Sequence, residues 1–409
     1  MRILFLTQVL PYPLDAGPKI RAYYTLRHLA RQHQVTLLSF VRPMDTPAQV
    51  EHLAQFCQAV HTVPMRRSRP RDALHLIESL ITGQSFIIRR DRVPAMARRV
   101  DELLATGEFD VVHADQLWMA QYALRARAAS RKPGSSIPRL VLDEHNACYL
   151  IARRLAAEER NPLKRALAML ESRKMARYEV EACRRFDWVV WVTEQDHRAV
   201  EQQAADGERR VPRSAVIPIC GDPAATPGVR RKPGAQRVTF LGGLHYPPNA
   251  QGVLWFIHHV WPLILQQIPD AVLTIIGKDP MPEIRNPKSE IRNLDVTGYL
   301  ADPTPYLAET AVFIVPLLAG GGMRVKIVDA WMWGLPVVST TIGAEGIETR
   351  PGENILIADT PADFAQAVVR LLRDPEEGQR IGQAGRRWAE QHYDWRRVYR
   401  AWDQVYADL

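Results

Sequence analysis

The sequence predicts an α/β protein of two doubly wound domains, each a parallel sheet covered by helices. Short apolar runs rich in β-branched and aromatic residues alternate with longer segments of helical spacing, which is the βαβα signature. The alternation occurs twice, on either side of one Pro/Gly/Arg-rich stretch, GDPAATPGVRRKPGAQ, at residues 221–236. A length of 409 residues suits two or three separate cores.

The expected strands of the first half are RILFLT, VTLLSF, AVHTV, FDVVHA, RLVLD, WVVWV and AVIPI, mostly bounded by turn or polar residues. After the first of them, Ile20, Tyr23, Tyr24, Leu26 and Leu29 recur at helical spacing and predict a helix over 20–32. The second half supplies RVTFLG, AVLTIIG, NLDVTG, AVFIVPL, PVVST and ENILIA. Beyond Asp359 the chain reads as helices, and Trp395, Val398, Trp402 and Val405 leave one apolar face near its end. The expected boundaries are a first domain at 1–220, a linker at 221–236, a second domain at 237–391 and a C-terminal helix, 392–409, returning to the first domain. Ligands of open α/β sheets bind outside the carboxyl ends of the strands, so a cleft between two such domains is the expected site.

The net charge of +8 is uneven. Residues 1–220 hold 34 Lys and Arg against 24 Asp and Glu, a surplus of +10, leaving 19 against 21, or −2, for the rest. The first domain is therefore expected to face something acidic. MRRSRPR at 65–71 and the Arg/Lys-rich segment 149–185 read as a basic apron for anionic lipid headgroups or a lipid-pyrophosphate acceptor, or as a solvated face. Zinc-finger spacing and RNA-recognition signatures are absent, which disfavours nucleic acid. Cys57, Cys148, Cys183 and Cys220 are dispersed, without C-x-x-C spacing, as thiols of a reducing compartment are. MRILFLTQVLPYP has too short an apolar run for a signal peptide and reads as the first core strand, and no apolar window is long enough to span a bilayer. The expectation is a cytoplasmic protein, with a peripheral place at the inner membrane face left open.

The most informative stretch is PLLAGGGMRVKIVDAWMWGLPVVSTTIG, residues 316–343. A strand ends in Gly320, Gly321 and Gly322, followed by Met323, Arg324 and Lys326 and a helix bearing Asp329. Glycines let backbone approach a ligand closely, and amides at a helix start attract anions. Arg324 and Lys326 place two positive charges there against the helix dipole, an arrangement that an anion compensates. Asp329 offers an acceptor for hydroxyl groups. Phosphate and polyol together indicate a nucleotide sugar.

Other strand ends carry further candidates. Gly17, in PYPLDAGPKIR, precedes the first helix. His145 follows RLVLD in a polar rim with Asp143, Glu144 and Asn146, suited to holding a sugar hydroxyl. Gly242 and Gly243 end RVTFL, with Asn249 near the next helix start, where backbone meets a diphosphate. Gly298 ends NLDVTG beside Tyr299, which is expected to flank a base. G-x-G-x-x-G is absent, which argues against a dinucleotide fingerprint.

On these pieces, together with FDVVHA, DEHNA, VIPICGD, AVLTIIGKDP and VTGYLAD, the chain resembles the GT-B-fold glycosyltransferases of group 1 (family 4) over nearly its whole length. The resemblance implies a retaining, metal-independent transferase with no cofactor, using a UDP- or GDP-linked sugar and a saccharide or lipid-linked acceptor of cell-envelope or exopolysaccharide synthesis. It implies Arg324 and Lys326 on the leaving diphosphate, Asp329 on the ribose, Gly298 and Tyr299 at the base, and His145 with Gly17 at the donor sugar. Many members carry two glutamates seven residues apart in the last motif; here Gly321 and Asp329 stand in those places. The glycine amides are then expected to hold the sugar or phosphate, and Arg324 and Lys326 to replace a basic pair that many members carry near the position of Asn249. A nucleotide-sugar 2-epimerase of the same fold and a catalytically weak binding protein are the alternatives.

Overall fold

The computed structural model describes residues 1–129, 137–159, 161–204, 213–229, 231–285 and 291–409. They form two compact units: Met1–Cys220 with Gly321–Met323 and Trp395–Leu409, and Gly221–Gly320 with Arg324–Asp394.

In the first unit seven strands, β1 (Arg2–Thr7), β2 (Gln34–Val41), β3 (Ala59–Pro64), β4 (Val111–Asp115), β5 (Arg139–Glu144), β6 (Trp188–Trp191) and β7 (Arg213–Val216), form one sheet in the order β3-β2-β1-β4-β5-β6-β7. Every pairing is parallel. The continuous apolar runs are explained by burial on both faces: Leu4, Leu6, Leu38, Val112, Leu140 and Leu142 share one core cluster on one face, and the alternate residues Ile3, Phe5, Leu37, Val111 and Val141 are buried as well. The strand expected at AVIPI lies slightly earlier. Ile217 still donates its amide to Trp191 O at 2.8 Å, but Pro218 has no amide to continue the ladder. The first helix, Gly17–Leu29, begins before the periodic stretch because Pro18 is tolerated in a first helical turn.

The end of the chain belongs to this first unit as two short helices, Trp395–Val398 and Ala401–Ala407, instead of one. Trp395 and Trp402 are buried, Trp395 stacks on Tyr24 at 5.2 Å, and the Tyr406 hydroxyl meets His113 Nδ1 at 2.8 Å. These contacts cover the apolar face that the sequence leaves open.

The second unit is a six-stranded parallel sheet of β8 (Arg237–Leu241), β9 (Val272–Ile276), β10 (Leu294–Gly298), β11 (Thr310–Val315), β12 (Val337–Ser339) and β13 (Leu356–Ile357), ordered β10-β9-β8-β11-β12-β13. Its own core includes Val238, Phe240, Leu273, Ile275, Val312 and Ile314. Residues 221–236 are not a free linker but part of this unit. Val229 N donates to Trp333 O at 2.8 Å and Lys232 N to Ala308 O at 3.0 Å, while residue 230 lies outside the described residues. A segment without apolar periodicity is still held here by its backbone.

Among the described residues no helix is long and apolar enough to cross a membrane.

Candidate functional site

Strand order in the second unit reverses between the neighbours β8 and β11, the topological switch point at which open α/β sheets bind ligands. Gly242 and Gly243 follow β8, and Gly320 follows β11. The backbones at this edge are close: Gly242 N donates to Ile276 O at 2.9 Å, and a Cβ on Gly277 would fall 2.0 Å from Gly242 O. A Cβ on Gly242 would meet Lys326 Nζ at 2.9 Å and Asn249 Nδ2 at 3.2 Å.

Lys326 lies in the first turn of the helix Val325–Met332. Its ammonium donates to Asn249 Oδ1 at 2.7 Å and lies 4.5 Å above the Phe240 ring, while Asn249 Nδ2 donates to Gly243 O at 2.8 Å. Lysine, amide and both glycines therefore form one cluster. Asp329 follows one helical turn later. Burial pulls Lys326 down to about 7, with Arg324 adding to the fall and Asp329 opposing it. Burial lifts Asp329 to about 7, against the attraction of Lys326. Each group is short of solvation.

Arg324 is buried and stands at the N-cap position of the same helix without a side-chain capping bond. Its Nη2 lies 3.8 Å from Glu345 Oε2 and 3.5 Å from Ile342 O. Part of the positive charge expected at Arg324 for a phosphate is thus balanced by Glu345. Gly320 has φ +128°, and a Cβ on it would fall 2.9 Å from Arg324 Nη2. Gly298 ends β10 at φ +74° and accepts the Gly277 amide at 2.9 Å. Tyr299 beside it is exposed, and Lys278 Nζ lies 5.7 Å from its ring centroid.

In the first unit, a Cβ on Gly321 would lie 2.6 Å from Ile151 Cγ1, and one on Gly322, at φ +70°, 1.7 Å from Asn146 Oδ1. A side chain at 321 thus starts in collision, a local reason for glycine where the resemblance leads one to expect glutamate. Met323 is buried. Gly17 is the first residue of its helix, which has no side-chain cap, and Asp15 pairs with Lys19 at 2.9 Å.

His145, just past β5, is buried, with Nε2 2.9 Å from Asp115 Oδ1. Its Nδ1 is buried without a hydrogen-bond partner among the described residues. Burial raises the Asp115 carboxyl, against His145. Burial also opposes the charge of Asp143, yet Arg21 and His145 hold its pKa below the ordinary carboxylate value. Arg21 grips both Asp143 oxygens at 2.9 Å.

Asp115, Asp143 and His145 lie close enough to share an ion, as do Glu144, Cys148 and Glu179. The first group is already engaged: Asp143 by Arg21, Asp115 by His145. In the second, Glu179 accepts the amides of Cys148 and Tyr149. Asp115, Arg21 and Glu345 escaped the sequence reading. An aspartate in an apolar strand end calls for a buried cation, but no local spacing joins Arg21 to Asp143, 122 residues away.

Residues 235–374 match the family Glycosyl transferases group 1. An uncharacterized 44.6 kDa protein in the cps region of Klebsiella pneumoniae is 29% identical over 169 residues, 40% of this chain and 44% of the relative. A GDP-mannose-dependent α-(1-6)-phosphatidylinositol monomannoside mannosyltransferase of Mycolicibacterium smegmatis is 28% identical over 149 residues, 33% of this chain and 39% of the relative. The chain thus spans less than half the length of these relatives. Among solved structures, Anabaena HepE in complex with UDP-glucose matches with a TM-score of 0.69 at 16% identity, over 100% of both chains. WaaG, a glycosyltransferase involved in lipopolysaccharide biosynthesis, matches with a TM-score of 0.64 at 14% identity, over 98% of this chain and 99% of that one. The chain has the GT-B fold, two Rossmann-like domains, as these structures do. Within that fold, residues 235–374 are its match to the group 1 glycosyl transferases.

Proposed function

We propose that the protein is a retaining glycosyltransferase that moves a sugar from a nucleotide-sugar donor, UDP- or GDP-linked, to a saccharide or lipid-linked acceptor in cell-envelope or exopolysaccharide synthesis. The observation that carries this reading is the Lys326–Asn249–Gly242–Gly243 cluster at the switch point of the second unit. Asn249 fixes the ammonium from one side, leaving its other donors for the diphosphate, and glycines on the strand end let that diphosphate come close. Lys326 stabilises the charge that grows on the leaving phosphate, where such electrostatic contributions are largest. Arg324, balanced partly by Glu345, adds to the same field.

Asp329 accepts the ribose hydroxyls, and Tyr299 with Gly298 borders the base. His145, with its Nε2 proton on Asp115, presents the Nδ1 lone pair to a hydroxyl of the donor sugar, and Gly17 lets backbone approach the same sugar. The leaving phosphate takes the acceptor proton as the new glycosidic bond forms on the face that the phosphate leaves. No cofactor or metal ion takes part. The cps-region relative and the mannosyltransferase support an envelope role, and the UDP-glucose complex of HepE supports a nucleotide-sugar donor.

The test is a panel of UDP-, GDP- and ADP-sugars, first by thermal shift, since binding to the native state raises the melting temperature, then by product analysis. Glycosylated acceptor, or slow release of free sugar without one, supports the reading. An epimerised nucleotide sugar, or binding with no turnover on any acceptor, defeats it.

A further inference from the structure

We propose that the helix Arg69–Thr82 and the first turns of the helix Pro162–Arg184 form a docking surface for an anionic lipid bilayer, with Leu74, Ile77, Ile81, Leu163 and Leu167 entering the boundary between headgroups and acyl chains. The proposal stands apart from the glycosyl-transfer reading, because it rests on neither donor nor acceptor chemistry.

The first observation is a helix facing the wrong way for a water-soluble surface. Leu74 is 54%, Ile77 55%, Leu80 51% and Ile81 80% exposed. The more buried positions of the same helix are polar: Ser79 is buried, and Asp72, His75 and Glu78 are half-buried. Lys174 Nζ donates to Ser79 O at 2.7 Å and Oγ at 3.1 Å, and Glu78 pairs with Arg89. An amphipathic helix normally turns its apolar stripe to the core. This one offers it outward.

The second observation is a matching ridge on another helix. Leu163 is 72%, Leu167 43% and Leu170 40% exposed, at the i, i+4, i+7 spacing of one helical face. Lys174 is the next residue on that face, and its bonds to Ser79 join this ridge to the inverted helix.

Charge selects the occupant. Arg66, Arg69, Arg71, Lys164, Arg165 and Arg173 are exposed and make no ion pair among the described residues. Of the nearby acids, Glu171 accepts from Ser85 Oγ and the amides of Phe86 and Ile87, Glu78 is held by Arg89, and Asp72 is half-buried in the first helical turn. An apolar ridge rimmed by unpaired cations suits the surface of an anionic membrane. A second copy of the chain would set these cations against one another. Arg67 does not join the rim, since it pairs with Asp91 at 2.7 Å.

The experiment uses the full chain and sedimentable vesicles of phosphatidylcholine, with and without phosphatidylglycerol. Binding is expected only to the anionic vesicles. The triple variant Arg66→Ser/Arg69→Ser/Arg71→Ser and the double variant Ile77→Gln/Ile81→Gln should each weaken it at least about tenfold, the double variant doing so at high salt as well. The thermal shift with nucleotide sugar should be unchanged in both variants, which separates loss of docking from misfolding and from failure of the donor site. No vesicle binding, equal binding to neutral vesicles, or variants that bind like the parent would overturn the proposal. So would a concentration-dependent dimer, seen by light scattering and abolished by the double variant, which assigns the ridge to a second copy.

Discussion

The Lys326 ammonium donates to the side-chain oxygen of Asn249 at 2.7 Å, joining residues 77 apart in sequence. Asn249 in turn spends its amide nitrogen on Gly243 O at 2.8 Å. The asparagine is therefore read in one orientation, oxygen towards the ammonium and nitrogen towards the strand end. It aims a single cation at the place where two glycines open the backbone.

Replacing Lys326 with Ala should lower transfer at least about tenfold, because a charge-assisted contact of roughly 1.5–3 kcal/mol is lost and each 1.36 kcal/mol is a factor of ten. Lys326→Arg should not rescue it, since Lys326 Nζ already fills the space that a Cβ on Gly242 would need, 2.9 Å from it, and a guanidinium is larger. Arg324→Ala should cost about tenfold as well, with an added loss of stability from removing the ion pair with Glu345. Wild-type turnover in Lys326→Ala would remove that residue from the leaving phosphate.

Asn249→Ala should weaken nucleotide-sugar binding about three- to tenfold by releasing the ammonium from its partner, a hydrogen bond to a charged group. Gly242→Ala should do so too, since its methyl would press on Lys326 Nζ and on Phe240 Cζ, 3.3 Å away. Both proteins should remain folded by circular dichroism. Calorimetry with a nucleotide sugar provides the measurement, and unchanged affinity in both would separate this cluster from the donor.

The pH dependence has a definite sign. Lys326 is lowered from 10.5 to about 7 in the free protein, so its charge is present below that value and lost above it. A nucleotide sugar has a diphosphate that does not titrate near neutrality, so its affinity should fall as pH rises through about 7, with proton uptake on binding. Asp329 is raised from 3.8 to about 7, so the folded state keeps a proton that the unfolded state gives up between those values. Stability contributed at this position is lost as pH rises through that window. Asp329→Asn should therefore raise the melting temperature more at pH ~8 than at pH ~5, by on the order of 1 kcal/mol once partial exposure and the opposing charge of Lys326 are discounted. An equal effect at both pH values would contradict the shift.

Chelation should leave turnover intact. The acidic cluster at His145 is committed to internal partners, Asp143 to Arg21 and Asp115 to His145, and oxygen ligands for a bridging ion are not left over there. Activity lost in EDTA and restored by Mg²⁺ or Mn²⁺ would show that those ligands rearrange to take an ion.

The two sheets were legible because buried parallel strands are continuous apolar runs, and each of the thirteen segments read as strands overlaps one, AVIPI by only its first two residues. What escaped depends on distance in sequence. Nothing local tells that residues 221–236 are pinned by Trp333 and Ala308, or that the tail breaks into two helices at Tyr399 and Arg400. Lys326 and Asn249 were legible separately, each by its place at a strand end, but their bond was not. Glu345 shows the same limit: its charge is plain in GAEGI, its pairing with Arg324 is not. The inverted helix Arg69–Thr82 has ordinary helical periodicity, so only burial reveals that its apolar side faces out.

Arg21 is the most sensitive position for stability. Its guanidinium and the Asp143 carboxylate are both fully buried and joined by two bonds of 2.9 Å, and Arg21 also donates to Ile217 O at 2.8 Å and Pro218 O at 2.9 Å. The Tyr399 and Trp402 rings lie 5.2 and 5.0 Å from the guanidinium carbon. One side chain therefore joins the first helix, the end of β5, the chain just past β7 and the C-terminal segment. Arg21→Ala strips the buried Asp143 of both guanidinium bonds and leaves it with His145 at 3.8 Å and His113 at 4.0 Å, a change that costs about 3–5 kcal/mol. Arg21→Met should be about as costly, since it restores volume but not charge, whereas Arg21→Met with Asp143→Leu should recover part of the loss by removing both charges together. Thermal melts of the three variants measure this directly. If the double variant were as unstable as the sum of its parts, the pair would be independent, and the tie between helix, sheet and tail would have to come from the Tyr399 and Trp402 packing instead.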